Sequence, residues 1–172
     1  MNWDALGAIG EVIGAAGVIV TLAYLAIQIR TNTAAVKVAT HQNQIAATVP
    51  TNNSIGNDEK VAVLIAKAND DYESLLPGEK IQLQYIYVNY YNLWHNAFWS
   101  HKEDLLPHYT WTLWNNGMGG VMSEQLAARH AWDNIKVMYD HEFQNHVKDI
   151  CDKLEFDENV GIGAPRITKN VT

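Results

Sequence analysis

VIGAAGVIVTLAYLAIQI, residues 12–29, is an uninterrupted run of eighteen residues without a formal charge. Wound as a helix at 1.5 Å per residue it is about 27 Å long, close to the hydrocarbon thickness of a bilayer. Nine of its residues are Val, Ile or Leu. At roughly −0.3 to −0.6 kcal/mol each, they outweigh the acid Glu11 at the margin of the run. Thr21 can bond its own helix backbone, which makes it inexpensive in lipid. The run therefore predicts one transmembrane helix over about residues 6 to 29. Two other readings compete with it. A cleaved signal peptide needs a basic leading region and a small-x-small cleavage site, and neither is visible. A buried core helix of a water-soluble protein draws on the glycines, alanines and Glu11 that dilute the hydrophobicity.

The flanks orient the helix. Asp4 is positioned as an N-cap, while Trp3 and Tyr24 suit the two interfaces. Before the run lie Asp4 and Glu11 and no Lys or Arg; after it come Arg30 and Lys37, with no acid until Asp58. The excess of positive charge marks the cytoplasmic side. The expectation is an inner-membrane protein with its N-terminus outside and the remainder in the cytoplasm. Gly10 and Gly14 form a G-x-x-x-G pair with Gly7 and Gly17 on neighbouring turns, a spacing that lets two helices approach closely in lipid. Glycine is also common in membrane helices for its own sake. Glu11 reads either as a functional acid at membrane depth or as a headgroup-level residue two turns from Asp4.

Beyond Arg30 no breaker occurs before Pro50, so the helix is expected to continue to about Ala47. Thr31, Ala34, Val38, His41, Ile45 and Thr48 make a thin stripe along it. Thr51 to Asn57 reads as an Asn-rich loop. A second helix starts near Asn57 or Asp58 and carries Val61, Leu64, Ile65 and Ala68 on one face. Pro77 suits the first position of a third helix over about 78–102, with Leu83, Tyr87, Tyr91, Trp94 and Phe98 on one face. Pro107 opens a shorter helix containing Trp111 and Trp114, which the Gly117-Met118-Gly119-Gly120 run is expected to end. Ser123 can cap the next helix, to about Tyr139, and Asp140 the last, with a stripe of Phe143, Val147, Ile150 and Leu154. No run alternates at period two. The fold class is thus all-α: an N-terminal transmembrane helix continuing into a small cytoplasmic helical bundle. Its parts are an anchor at 1–30, a juxtamembrane helix and loop at 31–56, a bundle at 57–155, and a flexible tail at 156–172 rich in Gly, Asn and Pro.

The opening GAIGEVIGAAGVIVTLAYLAIQIRTNT, residues 7–33, resembles that of a group of small bacterial proteins with an N-terminal membrane helix and no established activity. The likeness continues more loosely at Leu93, Trp94 and Phe98. It returns at Trp132 and in YDHEFQNHV, residues 139–147, where the group often has S-P-E-F and this chain has Asp140-His141-Glu142-Phe143. The resemblance implies an anchored helical protein and carries no chemistry.

A formal net charge of −7, with the twelve Lys and Arg scattered, disfavours a nucleic-acid surface. The single cysteine, Cys151, excludes an intramolecular disulfide and the multi-cysteine metal motifs. No spaced partner makes it a nucleophile, and only Lys148 and Lys153 stand near it in sequence. His141 and His146 bracket a glutamate as in zinc-protease helices, but five residues apart they diverge by about 140° around the helix. Three further histidines are cofactor candidates: His95 and His101 flank the aromatic helix beside Trp94, and His130 could add a ligand from another helix. Against them, no Glu-x-x-His pair or C-x-x-C-H occurs, and aromatic residues more often build cores than pockets. No cofactor, metal or catalytic residue is expected. The expected partners are the lipid bilayer and either further copies of the chain or the subunits of a membrane complex. The expected role is non-enzymatic interaction or accessory work, with a ligand-sensing aromatic pocket as the alternative.

Overall fold

The computed structural model describes residues 3–153 and is all-helical there, with six α-helices, two short 3-10 turns and no strand among the described residues. The helices are α1 (Trp3–Gly56), α2 (Glu59–Asp70), α3 (Pro77–Lys102), α4 (His108–Glu124), α5 (Leu126–Ile135) and α6 (His141–Lys153). The chain divides into two units, residues 1–40 and residues 41–172. The expected tail at 156–172, and Leu154 in the last stripe, lie outside the described residues.

The first unit is helical throughout its described residues. Its apolar side chains point in every direction: Val12, Ile13, Val18, Ile19, Val20, Leu22, Tyr24, Ile27 and Ile29 are each 59–69% exposed. By length and composition this helix could cross a membrane, and none of its most apolar stretch is buried.

The second unit opens with the end of α1, where the structure corrects two expectations. The helix runs through Pro50 to Gly56 in place of the Thr51–Asn57 loop. Proline removes one N–H, and the carbonyl it would have bonded belongs to Ala46. Ala46 and Pro50 both face solvent, where water can satisfy that acceptor. The buried positions are also not those of the predicted stripe: Gln44 and Thr51 are buried while Ile45 is 53% exposed. Gln44 Nε2 donates to Ser100 Oγ at 3.4 Å and Tyr90 donates to Asn52 at 3.3 Å, so polar contacts fasten this segment to α3.

The remaining helices form one aromatic core. Asp58 caps α2 by accepting from Lys60 N–H at 2.9 Å, and Val61, Leu64, Ile65 and Ala68 are buried as their spacing requires. Pro77 begins α3, and Glu79 reaches back to accept the Leu76 N–H at 2.7 Å while pairing with Lys67. Leu83, Tyr87, Tyr91, Trp94 and Phe98 all lie in the core.

Two boundaries differ from expectation. Helix α4 does not stop at Gly117–Gly120 but continues to Glu124. Each glycine costs a helix about 1 kcal/mol relative to alanine, but full burial of a methionine side chain returns roughly 1.5–3 kcal/mol. Met118 and Met122 are both 1% exposed, so packing decides. Ser123 therefore lies inside α4, its hydroxyl donating to Gly120 O at 3.0 Å, and does not cap a helix. The chain turns at Gln125, which offers no side-chain cap. Asn69 of α2 supplies the missing acceptor, taking the Ala127 N–H at 3.0 Å across 58 residues of sequence. Helix α5 ends at Ile135, and a 3-10 turn, Lys136–Met138, leads to Asp140.

Candidate functional site

The candidate histidines do not converge; each is held by its own neighbours. His95, on α3, meets Asp140 at the start of α6, with Nε2 to Oδ2 at 2.6 Å. Asp140 caps α6 as expected, its Oδ1 accepting the Phe143 N–H at 2.9 Å. Trp99 Nε1 lies 3.0 Å from Asp140 Oδ2 and 3.1 Å from His95 Nε2. Burial pushes the Asp140 carboxyl up, but the Phe143 N–H, the His95 ring and the Trp99 indole outweigh it. They hold the group well below the usual carboxylate range. An ionised carboxylate at 2.6 Å needs a donor opposite it, which assigns the proton to His95 Nε2. That nitrogen then cannot accept, so the Trp99 N–H belongs to Asp140. Both carboxylate oxygens are thereby engaged, and the group ties α3 to α6. Its chemistry is that of a fixed ion pair or a neutral imidazole held in one tautomer.

A depressed folded-state carboxyl stabilises the fold above its unfolded value near 3.8, and the contribution is lost as pH falls through the folded value. Asp140→Ala is expected to cost about 1–2 kcal/mol at neutral pH from loss of the cap and its bonds. Because the side chain is 36% exposed, the carboxyl shift itself adds little to that figure. Urea titrations at neutral pH and at low pH check this. The difference between wild type and variant should shrink in acid, and a difference independent of pH would contradict the assignment.

His101 stacks on Trp111 at 4.9 Å with the planes 8° apart, and its ring lies 6.0 Å from that of His108. His146 packs on Phe98 and Trp111, and its Nε2 lies 2.8 Å from Asn115 Oδ1. Burial pushes the His146 ring down, with Lys153 and His101 adding to the effect and Asp149 opposing it. His141, its partner in the protease-like spacing, is exposed on another face of α6. His130 stacks on Tyr72 at 4.1 Å, and Lys80 sits over the other ring partner at 4.9 Å from the Tyr72 centroid. Trp94 is a core residue, 5% exposed, between Tyr90 and Tyr91. Among the described residues no group of three or more His, Cys, Asp or Glu side chains is placed to hold a metal ion.

In the other unit, Gly7, Gly10, Gly14 and Gly17 meet nothing: a Cβ built on any of them has no atom within 4 Å. Their small size is unused by packing within the described chain.

One cavity was not anticipated from the sequence. About 370 Å³ in volume, it is lined by Met122 at the end of α4, by Arg129, Trp132 and Asp133 of α5, by Lys136, and by Gln144, Asn145, Lys148 and Cys151 of α6. Besides Lys148 and Lys153, which stand near Cys151 in sequence, the Arg129 charge reaches it across the cavity. Burial dominates and pushes the thiol up, Arg129 pulls it down, and Asp152 and Asp133 push it further up. The signal that could have found the cavity is the spacing. Positions 129, 132, 133 and 136 share one helical face, as do 144, 145, 148 and 151.

No protein-family model, curated protein or solved structure matches the chain. The likeness noted at the opening therefore rests on the residues quoted for it.

Proposed function

We propose that this chain is a single-pass membrane protein whose helical domain serves as a non-enzymatic interaction module or accessory subunit. The observation that carries the reading is the apolar helix over residues 12–29, whose large side chains are uncovered on every side. A helix apolar all round requires a protein core or lipid around it. None of its most apolar stretch is buried. On this reading lipid supplies the apolar surroundings, and the charge asymmetry of the flanks, acids before and Arg30 and Lys37 after, favours an outside N-terminus and a cytoplasmic helical domain. The unfilled glycine faces at Gly7, Gly10, Gly14 and Gly17 suit close approach of a second membrane helix, from another copy or from a partner subunit.

Orientation is tested by thiol labelling of intact cells with a membrane-impermeant maleimide. Wild type, whose only cysteine is Cys151, should label only after lysis, and Asn2→Cys in a Cys151→Ser background should label before it. The reverse pattern overturns the orientation. Association is tested on the detergent-solubilised chain purified from its native membranes. A homo-oligomer or a stoichiometric membrane partner is expected, and a lone monomer removes the basis for an interaction role.

A further inference from the structure

We infer that the cavity between α5 and α6 is a binding site for a small organic anion, its carboxylate or phosphate group held by Arg129, Lys136 and Lys148. The inference does not depend on the membrane reading. It rests first on charge. The chain carries a net charge of −7 and only twelve Lys and Arg, yet among the described residues three of those twelve line this one cavity against a single carboxylate, Asp133. Lys136 holds that carboxylate at 2.8 Å. The described lining groups thus sum to two positive charges on a protein that is otherwise acidic, a local reversal that concentrates anions.

Geometry supports the same reading. The Nε–H of Arg129 donates to the Met122 carbonyl, which fixes the plane of the guanidinium at the cavity wall. A fixed planar fork of donors matches the oxygens of a carboxylate or phosphate. Gln144 is also held in place, its Nε2 donating to Tyr139 O at 2.7 Å. Trp132 and Met122, both buried, offer the apolar surface. A few placed polar groups over an aromatic and thioether floor, in about 370 Å³, are what a small-ligand site requires. The ligand that fits is compact, carries one oxyanion group, and has an apolar or planar body to rest on Trp132.

Cys151 lines the cavity and is the only thiol in the chain, so it reports on the site without further engineering. The full chain, purified in a neutral detergent, is alkylated with anionic iodoacetate and with neutral iodoacetamide. Both reagents attack the same thiolate, so the ratio of their rates cancels the thiolate fraction and reads local potential. The ratio should be at least about fivefold higher in the folded chain than in the same chain unfolded in urea. Lys148→Gln, an exposed position, should lower the ratio while the helical circular dichroism is kept. Two arms then identify the source of the anion. Slowing of alkylation by inorganic phosphate, beyond that of chloride at equal ionic strength, indicates a free anion. Slowing only when phosphatidylglycerol is included indicates a lipid headgroup. A ratio equal to that of the unfolded chain, or protection by neither source, overturns the inference.

Discussion

Val20→Arg is expected to release the protein from the membrane, the largest single-residue effect in the chain. The nine Val, Ile and Leu residues of the 12–29 run supply roughly 3–5 kcal/mol of insertion free energy. An arginine at the middle of a span costs about 3 kcal/mol, and it also removes the contribution of the valine it replaces. On the proposed reading, one substitution therefore cancels most of the insertion free energy of the helix. Position 20 is far from either end of the run, so the side chain cannot easily reach the headgroups. Val38→Arg is the matched control: it is also on α1 and 58% exposed, but lies beyond Arg30 outside the apolar run. Cell fractionation should show Val20→Arg largely lost from the membrane pellet and Val38→Arg retained. Equal retention of both would tell against lipid as the solvent of this helix.

Phe143→Ala is expected to be the most damaging substitution within the helical domain. Phe143 is fully buried where α3, α5 and α6 meet, with ring neighbours His95, Phe98, Trp132 and Tyr139. Truncating a phenylalanine in such a setting costs about 3–5 kcal/mol, part lost transfer energy and part cavity. A domain of this size has a total stability of about 5–15 kcal/mol, so the variant should melt at least about 12 °C lower than wild type. Tyr85→Ala provides the contrast. Tyr85 is on α3 but 69% exposed, and its loss should change stability by less than about 0.5 kcal/mol. Thermal melts followed by circular dichroism decide between them. A shift of only a few degrees for Phe143→Ala would mean that the aromatic core is not packed as described.

The periodic segments were legible because burial and helical spacing coincide in them. Val61, Leu64, Ile65 and Ala68 on α2 and Leu83, Tyr87, Tyr91, Trp94 and Phe98 on α3 each form one face, and each face is buried. Capping by Asp58 and Asp140 was legible for the same local reason: a short acidic side chain stood just before an apolar stripe. The misreadings all fall where tertiary contacts override local preference. Pro50 and the Gly117–Gly120 run are strong breakers in isolation, yet solvent at Ala46 and the burial of Met118 and Met122 carry both helices through. The stripe predicted after Arg30 chose apolar Ile45 over polar Gln44, because a hydrogen bond to Ser100, 56 residues away, cannot be read from spacing.

The same limit governed the candidate sites. His95 could be singled out beside the aromatic helix, and Asp140 as a cap. Their meeting at 2.6 Å depends on how α6 folds back on α3. The cationic cavity combines Arg129 and Lys136 from one side with Lys148 from α6, and neither set looks like a cluster in the linear sequence. Only the facing of two helical stripes makes three scattered cations into one wall.

Alkaline carbonate extraction of membranes from cells producing the wild-type chain tests most directly whether residues 12–29 lie in lipid. The protein should stay with the sedimented membranes after carbonate and enter solution only when detergent is added. Full recovery in the soluble fraction before any extraction would contradict the account, and the orientation and partner proposals built on it would go as well.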